Sequence, residues 1–142
     1  MARAGERSVV TATVTTSGGV TGTLHSDVVR LHDRGQTPHG GTASTLEQHL
    51  FTLPGGTLVG SGTVDLQGRG TFAVIGGTGR YAGCRGSYVA HQQRVDLGGD
   101  GSARYEIVLD GWPASASDTV SDTAPAPDAA ADDSTTDRET TR

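Results

Sequence analysis

The chain has 142 residues, 22 of them glycine, and its net charge is −5 with arginine as the only strongly basic residue type. A length of this order fits one domain, or one domain with a tail. The arginines are scattered and aromatic residues are few, which argues against nucleic-acid binding, because that function needs clustered cationic side chains.

The N-terminal sequence and the cysteine content indicate an intracellular protein. The first ten residues, "MARAGERSVV", are charged and lead into threonine-rich alternation, so we expect neither a signal peptide nor a membrane span. The single cysteine, Cys84, excludes an internal disulfide and is typical of a reducing compartment. We therefore expect a cytoplasmic protein that does not associate with membranes.

The composition divides the chain near Trp112. All 22 glycines precede this residue, whereas residues 114–142 hold seven acidic side chains, two arginines and one large aliphatic residue. A segment with so little apolar surface cannot offset the entropy lost on ordering. We predict a β-barrel domain over residues 1–113 and a disordered acidic tail over residues 114–142.

Strand patterns recur along the predicted domain, and no window has the apolar spacing of an amphipathic helix. Short runs rich in β-branched residues alternate with glycine-rich turns, which is typical of a β-sandwich or barrel. Closure removes exposed strand edges, so we favour an all-β, closed antiparallel barrel of about eight strands, wide enough for one small ligand. The predicted strands are Ser8–Thr16, Val20–Leu31, Ser44–Leu53, Thr57–Leu66, Thr71–Ile75, Ser87–Val95 and Ala103–Leu109.

The stretch from Phe72 to Tyr88, "FAVIGGTGRYAGCRGSY", has a glycine-rich segment directly after a strand, as in a phosphate-binding loop. A P-loop requires a Gly-Lys-Ser/Thr sequence, and a dinucleotide-binding fold requires a helix to follow the glycines. The chain has no lysine, and "YAGCRG" is too rich in glycine to extend a helix. We therefore interpret the glycines as backbone features of a structural turn.

Together with "TLVGSGTV" at residues 57–64 and the "QGRG" turn, this stretch resembles the allene oxide cyclase-like and dirigent-like β-barrel family. The shared signature is a glycine-rich strand, then Ala-Val-x-Gly-Gly-Thr-Gly, an aromatic residue, and Ala-x-Gly before the next strand. The resemblance covers residues 44–109 well and residues 8–31 loosely. It implies an eight-stranded antiparallel barrel whose apolar cavity binds a reactive hydrophobic intermediate and directs its ring closure, without a cofactor.

Bacterial members of this family include cyclases of polyketide and related natural-product pathways, some of which act by [4+2] cycloaddition. The chain departs from the plant allene oxide cyclases, because "VVTATVTT" replaces the Glu-x-Asn pair of their first strand and their cavity tyrosine falls near Val64. The resemblance implies a cyclase of a hydrophobic linear intermediate. The alternative is a dirigent-like or lipocalin-like small-molecule binding protein without catalysis of its own.

Strand alternation and the family register nominate the side chains that face the cavity. Alternation in Ala103–Leu109 places Tyr105 on the apolar face, and the family register places Tyr88 and Gln92 inside and favours Gln48. These four are the candidate catalytic residues. The apolar candidates for substrate binding are Leu46, Leu50, Val64, Phe72, Ile107 and Trp112.

The strand at residues 44–53 leaves an alternative open, because both of its faces carry large apolar residues. Glu47 and His49 lie two residues apart on one face, and they form either an acid–base pair or a pair exposed to solvent or to another subunit. The chain has five histidines but no close His-x-His with an acid nearby, so we expect no bound metal.

Subunit association is also expected. Several predicted strands look apolar on both faces, among them Thr57–Leu66 and Thr71–Ile75. A monomeric barrel would leave the outer apolar set in water. We therefore expect a homodimer or homotrimer formed through the barrel wall, and a hydrophobic small molecule as the other partner.

Overall fold

The computed structural model describes residues 3–33, 43–110 and 119–123, and within them seven antiparallel strands follow one another in a meander that curls into a barrel-like sheet. This confirms the predicted all-β class. None of the described residues forms a helix long enough and apolar enough to cross a membrane. The strands are β1 (Arg7–Thr16), β2 (Thr21–Arg30), β3 (Ala43–Leu53), β4 (Gly56–Asp65), β5 (Arg69–Gly79), β6 (Gly86–Gln92) and β7 (Ala103–Leu109), with a 3₁₀ turn at Val95–Leu97.

A short further strand, β8 (Thr119–Thr123), pairs with both edges of this curled sheet. It lies opposite Ala103 to Glu106 of β7 on one side and opposite Thr13 to Thr16 of β1 on the other. β8 falls within the segment that the composition predicts to be disordered, so that prediction is corrected for these 5 residues. Threonine and valine favour a strand, and pairing on both sides compensates for the low apolar content. The rest of the predicted tail lies outside the described residues.

Period-2 alternation decides which side chains face the inside of the sheet. In β7, Ala103, Tyr105 and Ile107 are buried, and the residues between them are exposed. In β6, Tyr88 and Ala90 are buried in the same way. The predicted inner faces of both strands are therefore confirmed.

The predicted register of β3 is wrong by one residue. The inner face of β3 carries Glu47, His49 and Phe51, with Phe51 only 1% exposed. This register buries the phenylalanine, and the two polar side chains beside it satisfy each other by hydrogen bonding. Because successive side chains point to opposite faces, the shift moves every predicted inward residue of this strand to the outside. The corrected residues, all exposed, are Leu46, Gln48 and Leu50.

The hydrophobic core runs along the inside of the curled sheet and includes the end at which β3 and β7 finish. Phe51, Leu58, Val74 and Ile107 belong to it, together with Tyr81, which is buried although it lies in the loop after β5. The end of the sheet at which β3 and β7 finish is thus packed with side chains.

The glycine-rich motif at residues 76–79 forms the end of β5, and the chain turns after it. Gly79 has a φ of 60°, and a Cβ atom there would collide with the carbonyl oxygen of Gly55 in the adjacent turn. A Cβ atom on Gly77 would likewise press on the carbonyl oxygens of Thr57 and Tyr81. These close backbone approaches require glycine. The glycines serve the backbone, as expected, but they end a strand rather than form the turn.

Candidate active site

A cavity of about 260 Å³ opens at the end of the sheet where β1, β3, β5 and β7 begin, away from the packed end. Five side chains from three strands give it a largely apolar wall: Leu24, Val28, Val64, Ala103 and Tyr105. The inner register of β2, β4 and β7 places these side chains, because each lies an even number of residues from the core positions of its own strand.

Charged side chains reach this cavity at two depths. Glu47 is 4% exposed and lies on the inner wall. Arg30 and Arg94 are half-buried and line the cavity where β2 and β6 end, nearer to solvent. The cavity therefore has a negative group inside and positive groups at its mouth.

Glu47, His49 and Tyr88 form a buried hydrogen-bonded chain, which we call the Glu47–His49–Tyr88 network. The Nε2 atom of His49 lies 3.1 Å from Oε2 of Glu47, and its Nδ1 atom lies 2.9 Å from the hydroxyl oxygen of Tyr88. His49 is 1% exposed and Tyr88 is 2% exposed. The network therefore leads from the cavity wall at Glu47 into the packed interior.

The glycines of β4 make room for these polar side chains. In the β3–β4 pairing, His49 lies opposite Gly60 and Glu47 lies opposite Gly62. A Cβ atom on Gly60 would collide with the Tyr88 hydroxyl. An interior strand glycine often marks such a close approach.

Glu47 accepts hydrogen bonds on both carboxylate oxygens. Thr45 Oγ1 donates to Oε1 at 2.9 Å, and Gln92 Nε2 donates to Oε2 at 3.0 Å. His49 Nε2 is the third partner. A buried carboxylate is tolerated when it is hydrogen-bonded in this way. The Glu47 carboxylate is therefore fully hydrogen-bonded by side chains although it lies beside an apolar cavity.

The positions of the protons in the network follow from which groups can donate a hydrogen bond and which can only accept one. An ionised carboxylate only accepts, so Nε2 of His49 donates to Glu47, and Nδ1 then accepts the hydroxyl proton of Tyr88. Burial raises the pKa of the Tyr88 phenol well above its ordinary value, and the nearby Tyr105 and Glu47 raise it further. Tyr88 therefore keeps its proton at neutral pH.

Aromatic rings hold the histidine in place. Phe72 stacks on Tyr88 with ring centroids 4.7 Å apart and lies 4.6 Å from the His49 ring. Phe51 and Tyr105 meet the His49 ring edge-on at 5.9 Å and 5.5 Å. Such pairs stabilise a defined ring orientation. The imidazole is thus fixed with one nitrogen toward Glu47 and the other toward Tyr88.

The structure brings together three of the four predicted catalytic residues. Tyr105 and Gln92 line the cavity, and Tyr88 lies behind Glu47 through His49. Gln48 is on the outer surface of β3. Their roles in catalysis stay predictions.

The predicted substrate-binding residues are divided among four places. Val64 lines the cavity, and Phe72 is buried beside the network without lining it. Ile107 belongs to the packed core at the other end, because it lies past Tyr105 along β7. Leu46 and Leu50 are on the outer surface with Gln48. Trp112 lies outside the described residues.

Three residues of the site carry only weak sequence signals. The pairing of Glu47 and His49 is one of two alternatives that the sequence leaves open, and Arg30 is not among the predicted site residues. The sequence feature that indicates this pair lies in β4. Gly60 and Gly62 share one face there, and they leave space opposite His49 and Glu47. Arg30 carries a weaker signal, because it extends the inner face of β2.

Metal ligands do not cluster in the described part of the chain, where no group of three or more His, Cys, Asp or Glu side chains is arranged to hold an ion. His25, for example, is exposed on β2, and its Nδ1 atom lies 3.0 Å from Oγ1 of Thr11. Its neighbour Asp27 pairs with Arg7, which holds the pKa of that carboxyl below its usual value. This outer pair is separate from the cavity.

Comparison of the chain with protein-family models, with curated proteins and with solved structures gives no match. The resemblance to the allene oxide cyclase-like family therefore rests on the sequence motif alone. The cavity and the network beside it provide the structural basis for assigning a function.

Proposed function

We propose that this protein is a cofactor-independent cyclase that closes a ring within a small, largely hydrophobic substrate held in the cavity. The observation that carries the proposal is a carboxylate, Glu47, buried on the wall of an apolar cavity and hydrogen-bonded to His49. The family resemblance supports the same reaction class. It also suggests a place in polyketide-type natural-product biosynthesis in a bacterial cytoplasm.

Glu47 is proposed as the general base. Its carboxylate takes a proton from the carbon next to a substrate carbonyl, and the resulting enolate attacks a second carbonyl of the same molecule. A carbon–carbon bond forms, and the new alkoxide takes the proton back from Glu47. Positioned proton transfer of this kind contributes about 10²–10⁴-fold to rate. His49 and Gln92, as donors to Oε2, hold the carboxylate in one orientation.

A [4+2] cycloaddition is a second form of ring closure that fits the cavity. It needs no proton transfer, so the protein would act by holding the chain in a reactive shape. The two forms differ in their dependence on Glu47. Base-assisted closure requires its carboxylate, whereas cycloaddition does not.

The cavity volume limits the substrate. At about 260 Å³ it lies just below the range of about 300–1,000 Å³ usual for ligand sites. The substrate is therefore small, or only the reacting part of a longer chain enters.

We also propose that the sheet closes into an eight-stranded barrel. The pairing of β8 with both β1 and β7 supports closure, since it links the two edges of the meander. An eight-stranded barrel has an interior that accommodates side chains or one small ligand.

A test of the cyclase proposal uses 4-methylheptane-2,6-dione, a small symmetrical diketone. Its intramolecular aldol condensation releases water and gives 3,5-dimethylcyclohex-2-enone, which has one stereocentre. We expect the protein to accelerate this reaction and to form one enantiomer in excess, measured by chiral gas chromatography. Glu47→Gln should lower the rate by about 10²-fold or more.

The matched control is Glu106→Gln, which makes the same chemical change on the exposed outer face of β7. It should retain the wild-type rate and enantiomeric excess. A racemic product formed at the rate without protein, despite binding of the diketone, would contradict base catalysis. Equal losses in both variants would contradict the assignment to Glu47.

A non-catalytic binding protein is the second candidate, and one observation favours it. The Glu47 carboxylate already has three hydrogen-bond partners, Thr45, Gln92 and His49, as a purely structural buried carboxylate would. The same experiment separates the candidates. Ligand binding without any change in rate or stereochemistry supports the binding protein.

A further inference from the structure

Arg30 is an arginine on the inner face of a strand, which is unusual for a barrel-like sheet with an apolar interior. It continues the inward series of β2 after Leu24, Ser26 and Val28 and lines the cavity mouth. Its backbone is fixed, because its N–H donates to the carbonyl of Glu6 and its own carbonyl accepts from Gly5.

The guanidinium group of Arg30 has no hydrogen-bond or ion-pair partner among the described residues. Acidic side chains flank this end of the strand but are engaged elsewhere: Glu6 accepts from the backbone N–H of Arg3 at 3.1 Å, and Asp33 accepts from that of Ala4 at 2.7 Å. The other arginine of the mouth, Arg94, donates to the carbonyl of Leu66. A half-buried cation that lines a cavity and has no ion-pair partner among the described residues is suited to bind an anion.

The distance between Arg30 and Glu47 is set by the strand register. Arg30 lies opposite Thr45 and Val28 lies opposite Glu47, so the two charged residues are two positions apart along the strands. At the usual rise per residue this is about 7 Å. A ligand anion held by Arg30 is thus kept apart from the Glu47 carboxylate, with Val28 next to Arg30 on the inner face of β2.

We propose that the cavity selects small carboxylic acids with an apolar body, with the ligand carboxylate bound by Arg30 at the mouth and the apolar part directed toward Glu47. This inference rests on the proposed function in taking the cavity as the ligand site. A planar guanidinium binds a carboxylate through two parallel hydrogen bonds, which favours carboxylate over other anions. The substrate of the cyclase would then carry its acid group at the end remote from the reacting carbon.

The experiment compares octanoate with 1-octanol, which share an apolar chain and differ in charge, by isothermal titration calorimetry with the full chain near neutral pH. The wild-type protein should bind octanoate about tenfold or more tightly than octanol, and added salt should reduce the difference. Arg30→Gln should abolish most of the preference, because it should weaken octanoate binding much more than octanol binding.

The matched control is Arg69→Gln, which removes the same charge from an exposed position at the start of β5, at the same end of the sheet. It should keep the preference for octanoate. Equal binding of both ligands to the wild type, equal loss of both in Arg30→Gln, or the same effect from Arg69→Gln would overturn the inference and leave the cyclase proposal intact. Failure of both ligands to bind the wild type would overturn the inference and the cavity proposal together.

Discussion

The hydroxyl of Tyr88 on β6 lies against the backbone of Gly60 on β4, in space that a side chain at residue 60 would fill. Gly60 also lies opposite His49, the hydrogen-bond partner of that hydroxyl. Glycine inside a strand costs about 0.5–1 kcal/mol relative to alanine. At this position the missing side chain is what allows a tyrosine and a histidine to meet inside the sheet.

Gly60→Ala should therefore destabilise the fold, although alanine normally suits a strand better than glycine. The added methyl group has to displace the Tyr88 ring, and overpacking of this kind costs about 1–3 kcal/mol. Urea denaturation measures the free energy of unfolding. Gly76→Ala is the control, because a Cβ atom there meets nothing within 4 Å. A Gly60→Ala protein as stable as Gly76→Ala would contradict the close packing of Tyr88 on Gly60.

The pKa of Tyr88 leads to a prediction about stability at alkaline pH. Burial raises the folded-state pKa of this phenol above the ordinary value of 10.0, so the unfolded chain ionises first as the pH rises. The stabilising contribution is thus complete below about pH 10 and is lost progressively at higher pH. The wild type should lose more unfolding free energy than Tyr88→Phe between pH 8 and pH 11, by urea denaturation at each pH. Equal losses of unfolding free energy in the two proteins would contradict a raised pKa of Tyr88 in the folded state.

The strands could be predicted from the sequence because their signals are local. β-Branched runs and glycine-rich turns predict seven strands near their observed places, and alternation in β7 places Tyr105 inside. The predicted fifth strand ends at Ile75, whereas β5 continues through the glycine motif to Gly79. β8 was not predicted, since Thr119–Thr123 has one large aliphatic residue and becomes a strand through pairing on both sides.

The site could be predicted only in part, because the register of β3 is not a local property. Either face of β3 offers large apolar residues, so its alternation does not distinguish them. The interior decides the register: Gly60 and Gly62 leave space, and Tyr88 and Gln92 provide hydrogen bonds for the two polar residues. These hydrogen bonds join residues 39 and 45 positions apart along the chain.

Removing one member of the Glu47–His49–Tyr88 network should lower the free energy of unfolding. His49→Phe takes away one partner of the Glu47 carboxylate and of the Tyr88 hydroxyl, and each buried group left with fewer hydrogen bonds costs about 1–3 kcal/mol. The double variant Glu47→Leu/His49→Phe should be more stable than His49→Phe alone, because it also removes the buried carboxylate that His49→Phe leaves with one partner fewer. The Tyr88 hydroxyl loses its partner equally in both variants.

The double variant should nevertheless be inactive in the diketone cyclisation, which separates a functional network from a structural one. Chemical denaturation and the cyclisation assay on the wild type and these two variants check both parts. If the double variant is the least stable of the three proteins, the network serves to stabilise the fold. That result would weaken the case for catalysis by Glu47.

The homodimer or homotrimer stays a prediction, and the corrected register of β3 now specifies a surface for it. Leu46 and Leu50 are 41% and 36% exposed on the outer face, and Ile75 of β5 is 48% exposed on the same wall. In the β3–β4 pairing Leu50 lies opposite Val59, so this wall presents apolar side chains from three neighbouring strands. Apolar surface of this kind often marks an interface. Light scattering should give two or three times the mass of one chain.

Leu50→Glu places a charge at the centre of that wall and should shift the protein to monomer, because an unpaired carboxylate opposes burial in an interface. Val108→Glu is the control, since Val108 is 60% exposed on β7, on the opposite side of the curled sheet. It should leave the oligomer intact. A wild-type mass equal to one chain would contradict the oligomer. Dissociation by Val108→Glu but not by Leu50→Glu would place the interface on the wall that contains β7.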